Sequence, residues 1–129
     1  MIDLFAITRA ARERLAEEGL GGAYTKRLDA LTGKEGTVVR LVSSMVVDSH
    51  YDLGTCLDVT YQVVCRRLSE AEAMADCTAA ATALQHHAHP IAGGQVVDQE
   101  IYTPPQELEL NESGYYAYET RLIAHVAQR

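Results

Sequence analysis

The sequence predicts an α+β fold: a mainly antiparallel, twisted sheet of about four strands with helices packed on it, in the order α-β-β-α-β-β. Three observations predict it. In two segments, one near the start and one in the middle of the chain, apolar residues recur at three- and four-residue steps, the pattern of a helix buried along one side. Elsewhere they alternate with polar residues, the pattern of strands with one buried and one wet face. Finally, strands follow strands through turns rather than through crossover helices, which favours antiparallel neighbours.

The first helix is expected over residues 3–18. Asp3 is a plausible N-cap, Leu4, Ile7, Ala11 and Leu15 form the apolar stripe, and Gly19 stops the helix, with Gly21 and Gly22 confirming the break. Residues 23–31 fit either a further helical turn or a strand, and Gly33 and Gly36 bracket a turn. Residues 37–42 are rich in β-branched side chains and read as a strand, continuing through 45–47 after an irregularity at Ser43 and Ser44. A loop is expected over 48–54. Next comes a cleaner strand, with Leu57, Val59, Tyr61, Val63 and Cys65 on one face and Asp58, Thr60, Gln62 and Arg66 on the other; Val64 breaks the pattern.

Ser69 and Glu72 form a capping box opening a helix that runs to about His87. Its stripe is Ala73, Met74, Cys77, Ala80, Ala81 and Leu84, small enough for close approach to a sheet. Pro90 ends it, and Gly93-Gly94 makes a turn. The last third reads as a hairpin. One strand covers 95–103 and ends at Pro104-Pro105. An acidic connection with a turn at 111–114 leads to a long strand over 115–127. There Tyr116, Tyr118, Thr120, Leu122, Ala124 and Val126 face one way, and Tyr115, Glu119, Arg121 and His125 the other.

The 129 residues suit one domain spanning positions 1–129. A net charge of −7 with scattered basic residues excludes tight nucleic-acid binding, which needs a basic patch for phosphate. No stretch approaches the ~18 apolar residues of a membrane span, and Asp3 and Arg9 interrupt the one leader-like segment. Folding in a cytoplasm is therefore expected. Cys56, Cys65 and Cys77 form an odd set without CxxC spacing and read as reduced thiols acting as small hydrophobes.

The densest chemical feature is His86-His87-Ala88-His89. It reads either as a zinc or nickel ligand set in a small metal- or ligand-binding module, or as cations complementing the carbonyls at a helix C-terminus. Ser43-Ser44 has no GxSxG frame, and the glycines at 19, 21 and 22 follow a helix rather than a strand. No catalytic residue, cofactor or resident metal is expected, and the chain is read as a non-enzyme. Composition points elsewhere, to seven Tyr beside one Phe and no Trp. Tyr51, Tyr102 and Tyr115 stand beside turns and are candidate anchors of a subunit interface, where Tyr is enriched. The alternative is that they pack the edge of their own core.

Taken together, the layout resembles the tail-terminator, or minor capsid and tail-completion, proteins of long-tailed bacteriophages. The resemblance spans nearly the whole chain. It rests on the N-terminal helix, the strand at 37–41, the loop at 49–54 leading into the strand at 58–66, the capped helix from Ser69, and the hairpin turn at 112–118. It implies a ring, usually a hexamer, that closes the tail tube and docks to the head-side connector or stopper in the virion neck, assembled in the host cytoplasm. Its partners would be further copies of itself, the major tail tube protein and the connector. Head closure or another minor capsid role is the neighbouring alternative. DNA would pass through such a ring, and an acidic chain suits a lumen that repels phosphate.

Overall fold

The computed structural model describes residues 3–20, 23–24, 35–50, 54–109 and 114–128. Along the chain these form α1 (Phe5–Glu17), β1 (Ala23–Tyr24), β2 (Gly36–His50), β3 (Gly54–Arg67), α2 (Glu70–Leu84), β4 (His89–Ile91), β5 (Gly94–Leu108) and β6 (Tyr116–Gln128). The strands make one sheet in the order β1-β2-β3-β6-β5-β4. β1 pairs parallel with β2, and every other pairing is antiparallel. The expected order is present, with two short strands, β1 and β4, added at the sheet's margins. Of the stretch left open between helix and strand, residues 23–24 form β1; Gly21, Gly22, Gly33 and residues 25–31 lie outside the described residues.

Local chemistry sets the first helix. Asp3 accepts from the Phe5 amide through its carboxylate at 3.0 Å, while its carbonyl accepts from Ala6. Leu4 is already helical (φ −62°, ψ −29°), so Asp3 is the residue that caps. At the other end Gly19 adopts φ +85°, the Leu20 amide donates to the Leu15 carbonyl at 2.8 Å, and the Gly19 amide donates to Ala16. That is a Schellman closure, and Leu20 packs back onto the core that contains Leu15.

Both helices cover one face of the sheet. Ile7, Ala11 and Leu15 of α1 and Cys77, Ala80 and Leu84 of α2 share a core with Val39, Val59, Tyr61, Val63, Cys65, Val96, Leu122, Ala124 and Val126. The alternation predicted for β3 and β6 is thus the observed inner face. Met74 departs from its predicted stripe and is exposed. Arg67 ties helix to sheet: its guanidinium donates to the Gly36 carbonyl at 2.6 Å, to Thr37 Oγ1 at 3.1 Å and to the Asp76 carboxylate at 2.8 Å. Ser69 caps α2 as predicted, accepting from the Glu72 amide.

Several boundaries differ from the sequence reading. β2 runs on to His50 and β3 begins at Gly54, so much of the expected loop is hairpin strand. The expected irregularity is a bulge at Val42, between the Leu41 and Ser43 pairings. α2 stops at Leu84 rather than near His87 because Tyr61 and Gln99 capture the exit: the Tyr61 hydroxyl donates to Gln99 Oε1, Gln99 Nε2 donates to the His87 carbonyl at 2.9 Å, and the His86 amide donates to the Gln99 carbonyl at 2.8 Å. His86 is forced to φ +63° there. Pro90 accordingly sits in β4, and β4 turns into β5 through Gly93 at φ +85°.

Pro104-Pro105 does not end β5, which continues to Leu108 through a register irregularity between Thr103 and Gln106. Beyond the β4 pairing, β5 is a sheet edge among the described residues, where a missing amide on the outer side costs no ladder bond, and the irregularity between Thr103 and Gln106 takes up the proline on the β6 side. β6 starts at Tyr116. Cys65 and Cys77 are buried free thiols and Cys56 is half-buried.

Candidate functional site

Among the described residues no helix covers the outer face of the sheet. Strand alternation places Val38, Arg40, Ser43 and Met45 of β2 there, followed by Asp58, Thr60, Gln62, Val64 and Arg66 of β3 and Ala117, Glu119, Arg121, Ile123 and His125 of β6. Three zones follow one another along the strands.

The first is a second, small core of Val38, Val64 and Ala117, with Leu108 against it. It explains why Val64 broke the predicted alternation: this end of the outer face is also buried. Arg66 is 3% exposed, its guanidinium 4.3 Å from the centre of the Tyr115 ring. Tyr115 is thus half-buried against its own chain.

The second zone is a polar ladder across three strands. Arg40 Nε donates to Gln62 Oε1 at 2.6 Å, Gln62 Nε2 donates to Glu119 Oε1 at 2.7 Å, and Arg121 Nε reaches the same carboxylate oxygen at 3.3 Å. Gln62 and Arg121 thus satisfy a nearly buried carboxylate, and Arg40 holds Gln62 in place from the far side.

In the third zone His125 Nδ1 lies 2.6 Å from Asp58 Oδ1 and its Nε2 3.2 Å from Glu100 Oε1. Burial alone would lower the imidazole's pKa, but hydrogen bonding and charge from Asp58, then from Glu100, outweigh it and raise the value above its ordinary one. Lying between the two carboxylates, the imidazole clips β3, β6 and β5 together, and in its protonated form it donates to both. Beside it is a hollow of about 290 Å³ lined by Val42, Ser43, Met45, Asp58, Thr60 and Tyr102, with Arg121 and Ile123 completing it. Val42, Met45 and Tyr102 are 43%, 67% and 63% exposed, so three large apolar side chains converge on solvent at one spot.

The tyrosine expectations separate accordingly. Tyr102 lines this hollow, Tyr115 sits at the opposite end of the same face, and Tyr51 lies outside the described residues. The cross-strand ladder and the His125 clip went unread in the sequence. Glu119, Arg121 and His125 were assigned to the right face, but their partners depend on strand register, which the letters alone do not supply.

The histidine cluster is divided. His86 turns to Asp98, 3.2 Å away, while the rings of His87 and His89 lie 5.2 Å apart and line a separate hollow of about 190 Å³ with Ala10, Glu13, Arg14, Glu17 and Pro90. α2 ends at Leu84 with Gln85 as its cap, so the three histidines follow the helix rather than sit in its last turn, and the His87 amide donates to the Leu84 carbonyl at 3.1 Å. Burial, then the neighbouring His89 and Arg14, lower the His87 pKa. Among the described residues no three His, Cys, Asp or Glu side chains come together as a metal site. No described helix is long and apolar enough to cross a membrane.

The fold and outer face define an α+β protein whose described helices pack on one side of the sheet. No family model matches the sequence, and no curated protein matches it. Ten chains of solved structures do match. One is a chain from the virion of a native gene transfer agent particle, similar with a TM-score of 0.63 and 18% identity, the match covering 95% of this chain and 96% of that one. At that identity the likeness establishes a shared fold.

Proposed function

We propose that the protein is a structural component of a phage-like virion that forms a homo-oligomeric ring in the neck, terminating the tail tube and joining it to the head-side connector. The observation that carries this reading is the end-to-end match, with almost nothing left over in either chain, to a component of a gene transfer agent virion. The outer sheet face supports it independently, because converging exposed Val42, Met45 and Tyr102 are surface an isolated chain gains nothing by presenting. The partners proposed are further copies, the tail tube protein and the connector. Tyr102 is the proposed contact residue best placed for this, with Tyr51 and Tyr115 as further candidates. Head closure is the reading next to it, and it shares the same chemistry of shape-matched surfaces.

Light scattering and negative-stain imaging of the purified chain, alone and mixed with its tail tube protein, test the proposal. Closed rings are expected. A chain that stays monomeric in both conditions would refute it.

A further inference from the structure

The core between α2 and the sheet holds two nucleophilic side chains that play no part in the proposed assembly. Cys65 of β3 and Cys77 of α2 are both fully buried, both free thiols, and both members of the cluster that joins helix to sheet. Alternation along β3 turns Cys65 and Arg67 towards the helix-covered face. There Arg67 Nε meets the carboxylate of Asp76, the residue before Cys77, at 2.8 Å. That ion pair holds this part of α2 against the end of β3, where the thiols lie. They touch, the Cys77 thiol donating a hydrogen bond to Cys65.

Their surroundings make the two sulfurs unlike. Thr37 Oγ1 donates to Cys65 Sγ at 4.0 Å and accepts from Arg67 Nη2 at 3.1 Å, so a guanidinium acts on Cys65 through one hydroxyl. The hydrogen bond from Cys77, with the Arg67 charge and the Thr37 bond behind it, holds the Cys65 pKa below its ordinary value against burial and Asp76. Cys77 moves the other way: its bond to Cys65, then burial, then charge from Cys65 and Glu119 raise its pKa. A thiolate is the nucleophile and a thiol is not. Cys65 is thus prepared to attack, and Cys77 stands in contact to resolve whatever forms on it. The third cysteine, Cys56, is nine residues back along β3, roughly 30 Å from Cys65, and takes no part.

We propose that Cys65 and Cys77 form a peroxide-sensitive dithiol site, whose oxidation to a disulfide staples α2 to β3. The oxidant is hydrogen peroxide, small enough to enter when the helix opens locally. The Cys65 thiolate attacks one peroxide oxygen, the O–O bond breaks and hydroxide leaves, which puts a sulfenic acid on Cys65. The sulfur of Cys77 then attacks Cys65 Sγ. The Sγ–Sγ bond forms, the Sγ–O bond breaks, and the Cys77 proton leaves with the hydroxyl as water. The first hydroxide takes up the proton that Cys65 shed, so two thiols lose two electrons and one peroxide becomes two waters. The new bond closes the short stretch of chain between residues 65 and 77 and restricts the unfolded state. The site stands on its own geometry, independent of what the chain assembles into.

Cys56→Ser isolates the pair, because Cys56 and Cys65 share the tryptic peptide 41–66 while Cys77 lies in 68–121. The folded variant is treated with hydrogen peroxide, quenched with catalase, alkylated in urea and digested. The expected product is the two peptides joined, lighter than their sum by two hydrogens and parted by dithiothreitol, from a chain that still runs as a monomer on a non-reducing denaturing gel. The oxidised chain should keep its circular dichroism and unfold at a urea midpoint about 1–2 M higher, a gain that reductant removes. Dimedone, which caps sulfenic acids, should mark Cys65 when Cys77→Ser is added and leave Cys77 unmarked when Cys65→Ser is added instead. Circular dichroism checks both variants, and where either fails to fold the cross-link in Cys56→Ser decides alone. Full alkylation of both cysteines after peroxide, or a link only between separate chains, would overturn the site. Dimedone on Cys77 and not on Cys65 would overturn the assignment of the attacking sulfur, and a joined pair with an unchanged or lowered midpoint would overturn the staple.

Discussion

The exit from α2 supplies the sharpest stability test, Tyr61→Phe. Tyr61 is fully buried and Gln99 is 1% exposed. Burial raises the pKa of the phenol, which keeps it protonated as a donor. Removing the hydroxyl leaves Gln99 Oε1 buried without its donor, a loss of about 1–3 kcal/mol. Gln99→Leu should be worse, since it strands the tyrosine hydroxyl and the His87 carbonyl together. The double variant should cost less than the sum of the two, with a coupling on the order of 1 kcal/mol, because it removes both ends of one bond. Urea unfolding followed by far-ultraviolet circular dichroism reads all four corners of the cycle. With a slope of about 1.5 kcal/mol per molar urea, Tyr61→Phe should lower the midpoint by roughly 1 M. A midpoint within about 0.2 M of the native chain, or purely additive losses, would show that Tyr61 and Gln99 do not hold the turn as described.

Arg67→Lys should lower stability by about 1–3 kcal/mol, measured in the same urea assay, because a point-charge ammonium cannot make the fork of bonds to Gly36, Thr37 and Asp76. Ser69→Ala should cost about 1 kcal/mol by removing the cap of α2, and no change in midpoint would contradict that assignment. Since its pKa is raised on folding, His125 contributes stability that is fully present below its ordinary value of 6.5 and lost as pH rises through the raised one. His125→Gln should therefore lose more stability at pH 6 than at pH 9, and equal losses at both would contradict the clip. Calorimetric titration with zinc or nickel should give the same trace for the native chain and His87→Ala; a difference would revive the metal-binding reading.

Much of this architecture was legible because local signals and packing agree. Capping at Asp3 and Ser69, the stop at Gly19 and the alternation from Leu57 to Cys65 are each set by residues close in sequence, and the core simply uses them. The misreadings fall where a distant residue decides. Nothing in His86-His87-Ala88-His89 announces that Gln99 will end the helix early, and Pro104-Pro105 reads as a terminator until β5 is known to be an edge. The outer face was visible as a row of polar side chains, but not as a ladder, because Arg40, Gln62 and Glu119 meet only through register. Val64 was the one hint that part of that face is buried.

The inner stripe of α2 has a consequence for how this sequence is free to drift. Ala73, Cys77, Ala80 and Ala81 are all buried, so small side chains make up most of the contact between this helix and what it packs on. An added methyl at such a contact pushes a rigid rod away from a rigid surface and opens gaps along its whole length, whereas a lost methyl opens one. Change at these sites is therefore one-directional, towards equal or smaller side chains. Two chains of this shape can share few letters and still agree on how little fits beneath that helix.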